Sequence, residues 1–131
     1  MIDLVWIPRL SLGPFVIGGS VVGAKAVLPF LRSDDLHVGF LDIESYVSID
    51  GWLRIEARGD AIESISSESD FLYHGKNIVG MAVADIEDLL ESKADMIDST
   101  ESVDDPVIVD FDGYGLQLVV NDGIVSSATC Y

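Results

Sequence analysis

The side chains able to do chemistry are unevenly spread along this chain. Nine carboxylates crowd residues 85–105: Asp85, Glu87, Asp88, Glu91, Asp95, Asp98, Glu101, Asp104 and Asp105, with Lys93 as the one base among them. Two more, Asp110 and Asp112, close the apolar run Val107-Ile108-Val109. Histidine occurs twice, at His37 and His74, and cysteine once, at Cys130. Carboxylates on their own offer acid–base or nucleophilic work, hard-cation binding, and electrostatic capture of basic groups. Neither histidine has a second histidine or a cysteine at metal-ligand spacing, so no zinc site is expected. Asp110, Asp112 and Gly113 are not followed by the alternating oxygen ligands and closing Glu of a calcium loop. Gly18-Gly19-Ser20 lacks the Gly-Lys-Ser/Thr ending of a phosphate loop, and no Gly-x-Ser-x-Gly elbow presents a serine nucleophile. No metal, no cofactor and no catalytic set is expected.

The segment Val107-Ile108-Val109-Asp110-Phe111-Asp112-Gly113 resembles the first motif of haloacid-dehalogenase-type phosphatases, an apolar strand ending in Asp-x-Asp-Gly-Thr. That resemblance implies Asp110, the first Asp of the motif, as the group that attacks phosphorus. Tyr114 stands where the motif has Thr, and only eighteen residues, Tyr114 to Tyr131, follow it, with no lysine to stabilise a phosphoryl group. A strand and turn carrying two surface aspartates is the expectation.

Electrostatic capture is the chemistry that remains, and composition supports it. Twenty-three acidic residues against seven basic ones give a formal charge of −16 on 131 residues. Such a surface attracts cationic partners and repels nucleic acid and anionic lipid. The 49% hydrophobic content and mean hydropathy of +0.38 are far from those of disordered chains. One domain over residues 1–131 is therefore expected, with a core that offsets the charge repulsion. A lone cysteine fits a reducing cytoplasm, and Met1-Ile2-Asp3 lacks the basic start of a secretory signal. Leu10 to Leu31 is about long enough to span a bilayer, but Gly13, Pro14, Gly18, Gly19, Gly23 and Pro29 interrupt it. It reads as strand, turn and short helix, with no membrane partner.

The elements that would carry the acids recur along the chain. Phe15-Val16-Ile17-Gly18 precedes Val21, Ala24, Val27 and Leu28 at helical spacing; Asn77-Ile78-Val79-Gly80 precedes Val83, Ile86, Leu89 and Leu90. Leu53 to Ala57 and Ala61 to Ile65 flank Arg58-Gly59-Asp60, which reads as a hairpin turn and not an integrin-type motif. Leu116 to Val120 and Ile124 to Ala128 flank Asn121-Asp122-Gly123 in the same way. An offset of about 62 residues relates the two sets, which predicts two tandem strand–helix–hairpin units, approximately 10–66 and 72–131. The second helix is expected over about 82–92, with Asp85, Glu87, Asp88 and Glu91 facing solvent and Ile86, Leu89 and Leu90 buried. The first starts at Ser20 as N-cap and stops before Pro29. Lys93 to Asp105 and Ser64 to Asp70 read as loops, and Trp6-Ile7 as an opening strand joining the second unit's sheet. The fold class is α+β, a mostly antiparallel, curved sheet with two helices packed on one face.

Small size, acidity, the duplicated pattern and thin catalytic equipment together resemble the immunity proteins of bacterial polymorphic toxin and contact-dependent growth inhibition systems. The likeness rests on general character and on Gly75-Lys76-Asn77-Ile78-Val79-Gly80-Met81 and Gly115-Leu116-Gln117-Leu118-Val119-Val120-Asn121-Asp122-Gly123. It implies a cytoplasmic, non-enzymatic inhibitor that blocks a cognate basic toxin domain, nuclease-like in its cationic groove. The partner-binding residues expected are Asp85, Glu87, Asp88, Glu91, Asp95, Asp98, Glu101 and Tyr114, with Tyr73 and Trp52 as further apolar anchors. The alternative classes are an acidic adaptor or nucleic-acid mimic and, more remotely, a small phosphatase-like hydrolase using Asp110 or Asp112.

Overall fold

Two-residue alternation of apolar and polar side chains builds most of this molecule. The computed structural model describes residues 3–27, 30–32, 36–38, 41–98 and 106–131. A small antiparallel sheet comes first: β1 (Trp6–Ile7), β2 (Ser11–Leu12) and β3 (Phe15–Val16). Helix α1 (Val21–Val27) leads to β4 (Phe30–Arg32), β5 (Leu36–Val38), β6 (Leu41–Ser48), β7 (Leu53–Arg58) and β8 (Ala61–Ser67). A short hairpin, β9 (Leu72–Tyr73) and β10 (Lys76–Asn77), precedes helix α2 (Val83–Leu90). The chain finishes with β11 (Met96–Asp98), β12 (Val107–Phe111), a 3₁₀ turn at Asp112–Tyr114, β13 (Leu116–Asn121) and β14 (Ile124–Cys130).

Nine of these strands form one antiparallel sheet among the described residues, in the order β11-β12-β13-β14-β8-β7-β6-β4, with β5 also paired to β6. Its register explains the core. Phe111, Leu116, Cys130, Ile65, Ile55 and Tyr46 stand side by side across six strands, and all are buried. One residue along each strand lies Asp110, Gln117, Thr129, Ser66, Arg54 and Val47, a row none of whose members is buried. Period-two alternation thus divides the sheet into an apolar and a polar face. Val21 and Ala24 of α1 and Ile86 and Leu90 of α2 belong to the same hydrophobic cluster as the apolar row. Each valine, leucine, isoleucine or phenylalanine among them contributes about 1.5–3 kcal/mol on full burial.

Local turn chemistry sets the hairpins. Asp122 and Gly123 both have positive φ, as a two-residue type I′ turn demands, and so do His74 and Gly75 between β9 and β10. Gly59 opens the β7–β8 turn at φ 61°. Each of these long hairpins carries one irregularity, between Glu56 and Ala57 and between Val119 and Val120. Each is also tied to the segment before its helix. Gly18 N–H donates to Ile62 O (2.7 Å) and Ile62 N–H to Gly19 O (2.9 Å); Gly80 N–H donates to Val125 O (2.8 Å) and Val125 N–H to Met81 O (2.9 Å). At the middle of the sheet β8 and β14 meet through Ser67↔Ala128, Ser66↔Thr129 and Ile65↔Cys130.

An α+β molecule with a mostly antiparallel sheet and two helices is what the alternation and turn signals predict, and it is what forms. Several details differ. Residues 93–105 are not loop throughout, because Met96–Asp98 pairs with β12 as an edge strand too short to show a period. Ser64 to Ser67 belongs to β8, which leaves Glu68–Asp70 as the link. Trp6-Ile7 pairs with β2 in the small sheet, because a turn brings Ser11-Leu12 back beside it. Val27 is 46% exposed and is not part of the buried stripe of α1; Leu28 and Pro29 lie outside the described residues. Ser20 does cap α1: its Oγ accepts the Val22 N–H at 3.1 Å and donates to Asp60 Oδ2 at 2.5 Å. No helix among the described residues is long and apolar enough to cross a membrane.

Candidate functional site

Helix α2 presents the acids because of its own amphipathic spacing. Ile86 and Leu90 are buried four residues apart, which turns Asp85, Asp88 and Glu91 outward. Asp85 sits in the first turn, where the helix dipole favours a carboxylate. The other end is arranged against its charges. No basic residue lies in the last turn, so Asp88 meets the negative end of the dipole uncompensated. Glu91 follows as the left-handed capping residue (φ 53°, ψ 38°), with Glu91 N–H donating to Asp88 O and Ser92 N–H to Glu87 O. That is a Schellman cap, which glycine fills most easily.

The predicted face divides into acids that the fold uses and acids that it leaves free. Glu87 is half-buried; its carboxylate accepts the Ala94 N–H at 3.0 Å and lies 3.9 Å from Lys93 Nζ. Asp95 accepts the Asp112 N–H at 2.6 Å, fixing the 3₁₀ turn beside β11. Tyr114 is half-buried, its ring 6.3 Å from that of Trp6, and its hydroxyl donates to Leu90 O at 2.7 Å. It thereby satisfies one of the carbonyls that a helix end leaves open. Asp85, Asp88 and Glu91 are exposed, and no cationic side chain pairs with them among the described residues. Asp98 lies in β11 but its side chain, like Glu101, Asp104 and Asp105, is outside the described residues.

Two surface hollows border this helix among the described residues. A groove of about 760 Å³ runs between α2 and the β9–β10 hairpin, lined by Lys76, Asn77, Met81, Asp85, Asp88 and Leu89. A second, of about 340 Å³, is lined by Glu87, Asp88, Glu91, Ser92 and Lys93. Asp88 borders both. The wall opposite α2 is held by Asn77, whose Oδ1 accepts the N–H groups of Phe71 (2.9 Å) and Val79 (3.1 Å) and whose Nδ2 donates to Ser69 O (3.0 Å). Lys76, Met81 and Leu89 were not legible as site residues. The signal that bears on them is the His74-Gly75 turn, which folds Lys76 back beside α2.

The remaining candidates take up structural contacts. Asp110 Oδ1 accepts the Gln117 amide at 3.0 Å, and Asp112 Oδ1 accepts the Tyr131 hydroxyl at 3.2 Å. Arg9 donates to the carbonyls of Gly113 (3.1 Å) and Asp112, pinning the 3₁₀ turn from the small sheet. Partial desolvation raises the Tyr131 hydroxyl pKa, and the neighbouring Asp112 carboxylate raises it further. His74 is exposed in its hairpin turn, edge-on to Tyr73 at 4.2 Å. Tyr73 packs its ring 5.0 Å from that of Trp6, and Trp52 is half-buried against the core. Burial pushes the Cys130 thiol up to about 12, and backbone hydrogen bonds lower it only partly. Among the described residues no group of three or more His, Cys, Asp or Glu side chains is gathered to hold a metal ion. A scan against protein-family models finds no match for this chain, and searches of curated proteins and of solved structures also find none.

Proposed function

We propose that this protein is a toxin-neutralising immunity protein: a cytoplasmic, non-enzymatic inhibitor that covers the cationic groove of a cognate, nuclease-like toxin domain with the acidic face of α2. The observation that carries this reading is the set Asp85, Asp88 and Glu91, exposed, unpaired and in part set against their own helix. A surface serving only solubility mixes its signs and offsets its helix dipoles. A nuclease must present Lys and Arg to phosphates, and carboxylates can occupy the same groove. Complementary potentials of this kind carry association to about 10⁸ M⁻¹s⁻¹ at low salt. Glu87, Asp95 and Tyr114 support the face from behind through the hydrogen bonds already described.

The same reading takes residues 10–66 and 72–131 as two copies of one unit. In its favour, the hydrogen bonds linking Gly18, Gly19 and Ile62 have counterparts among Gly80, Met81 and Val125, 62 or 63 residues on. The bridges Ser20↔Ala61 and Ala82↔Ile124 and the two hairpin irregularities keep the same offset. Only the second copy carries acids on its helix. Duplication followed by charging of one helix therefore yields a scaffold with one binding end.

The test is a triple reversal, Asp85→Lys, Asp88→Lys and Glu91→Lys. Cationic proteins of the source organism retained by the wild-type chain at about 0.15 M salt, where screening acts over ~8 Å, supply the partner for kinetics. The reversal should slow association at least about tenfold and flatten its salt dependence, with the fold intact by circular dichroism. Unchanged association kinetics would falsify the proposal.

A further inference from the structure

The groove between α2 and the β9–β10 hairpin has a composition that selects more narrowly than charge. Its α2 wall carries Asp85 and Asp88, three residues apart on the exposed side of the helix. Half-buried Met81 and Leu89 form apolar surface beside them, and Lys76 stands on the opposite wall with neither aspartate in ion-pair reach. Resting on the reading above, the geometry points to this groove as the seat of one basic side chain, preferably arginine, from an extended loop of the partner protein. The long aliphatic stem of such a side chain lies along Met81 and Leu89 while its planar head donates to Asp85 and Asp88. Lys76 repels a second cation and so fixes which wall the head group meets.

The first half of the chain supplies an internal comparison. A smaller hollow of about 220 Å³ lies beside α1, and its lining includes Pro14, Gly19 and Gly23. Sixty-two residues later stand Lys76, Met81 and Asp85. Both hollows have apolar lining, Phe15, Val16 and Ile62 at the first and Met81 and Leu89 at the second, but charged side chains line only the second. Charge complementarity selects the occupant: the free carboxylates line the groove, and the molecule as a whole carries −16.

The experiment uses the full-length ¹⁵N-labelled protein at low salt and a hexapeptide containing a single arginine, with the same peptide carrying citrulline as the uncharged control. Amide shifts should centre on residues 76–77, 81 and 85–89, and citrulline should weaken binding by about tenfold or more. Asp88→Asn should weaken the arginine peptide about tenfold, whereas Asp50→Asn, an exposed acid in the turn between β6 and β7, should leave it unchanged. Leu89→Ser should weaken binding even at 0.5 M salt, where exposed charges are screened. Shifts spread over the turns at Asp50 and Asp60, equal binding of both peptides, or no shift at all would overturn the groove. In any of those cases the broader inhibitor reading stands or falls separately, on the association kinetics of the triple reversal.

Discussion

At the residue scale, two positions show how little freedom the backbone leaves. Gly115 has φ 63°, and a Cβ built there would lie 2.3 Å from the Tyr131 carbonyl oxygen, a backbone atom of a residue whose N–H donates to Gly115 O at 2.9 Å. Gly115→Ala should therefore lower stability by about 2 kcal/mol or more in chemical denaturation, since left-handed strain and a clash coincide. Cys130 is 1% exposed and its thiol is raised to about 12. It should resist iodoacetamide at pH 8 in the native state and react once the chain is unfolded. The folded thiol holds its proton where the unfolded one loses it. Its contribution to stability is complete below pH 9 and declines toward pH 12, by up to about 1.4 kcal/mol per pH unit. Cys130→Ala should remove that part of the alkaline slope.

At the scale of single elements, α2 keeps a stability optimum within easy reach and does not take it. Glu91→Gly relieves a left-handed glutamate in a Schellman cap and should stabilise the protein by about 1 kcal/mol. Asp88→Lys answers the helix dipole and should add about 0.3–1 kcal/mol. Both are expected to raise the thermal midpoint and, under the proposed inhibitor reading, to weaken partner binding, the joint outcome that would mark a surface kept for binding. Asp95→Ala differs in kind. It leaves the Asp112 N–H without its acceptor and should lower stability by about 1–2 kcal/mol, so it does not belong in a charge-reversal set meant to spare the fold.

For the whole molecule, the balance lies between one apolar cluster and a surface of net charge −16. Repulsion among exposed carboxylates acts over distances that salt screens, about 30 Å at 0.01 M and 3 Å at 1 M. The thermal midpoint should accordingly rise as sodium chloride increases from about 0.01 to 0.5 M. A midpoint that falls over that range would mean attractive pairs outweigh the repulsion. Under the proposed inhibitor reading the same salt series should weaken partner binding, so stability and affinity are expected to move in opposite directions.

Much of this architecture is readable locally. Asp122-Gly123 fits a tight turn by its own backbone preferences, and the flanking runs alternate by residue type, so the hairpins and the polarity of the sheet faces follow from neighbours in the chain. The amphipathic stripe of α2 is local too. Other features are pairings between distant segments. Met96–Asp98 becomes a strand only because β12 offers it backbone partners, and Trp6-Ile7 joins the small sheet only because a turn returns the chain beside it. The division of the acidic run is of the same kind. Glu87 and Asp95 find N–H donors seven and seventeen residues away, which composition cannot reveal. Sequence alone determined that the protein is anionic, antiparallel and equipped with an acidic helix, because charge, turn preference and periodicity reside in adjacent residues. Tertiary structure alone decided which carboxylates remain free and that a groove with an apolar floor lies beside them, because both depend on what the fold brings against α2.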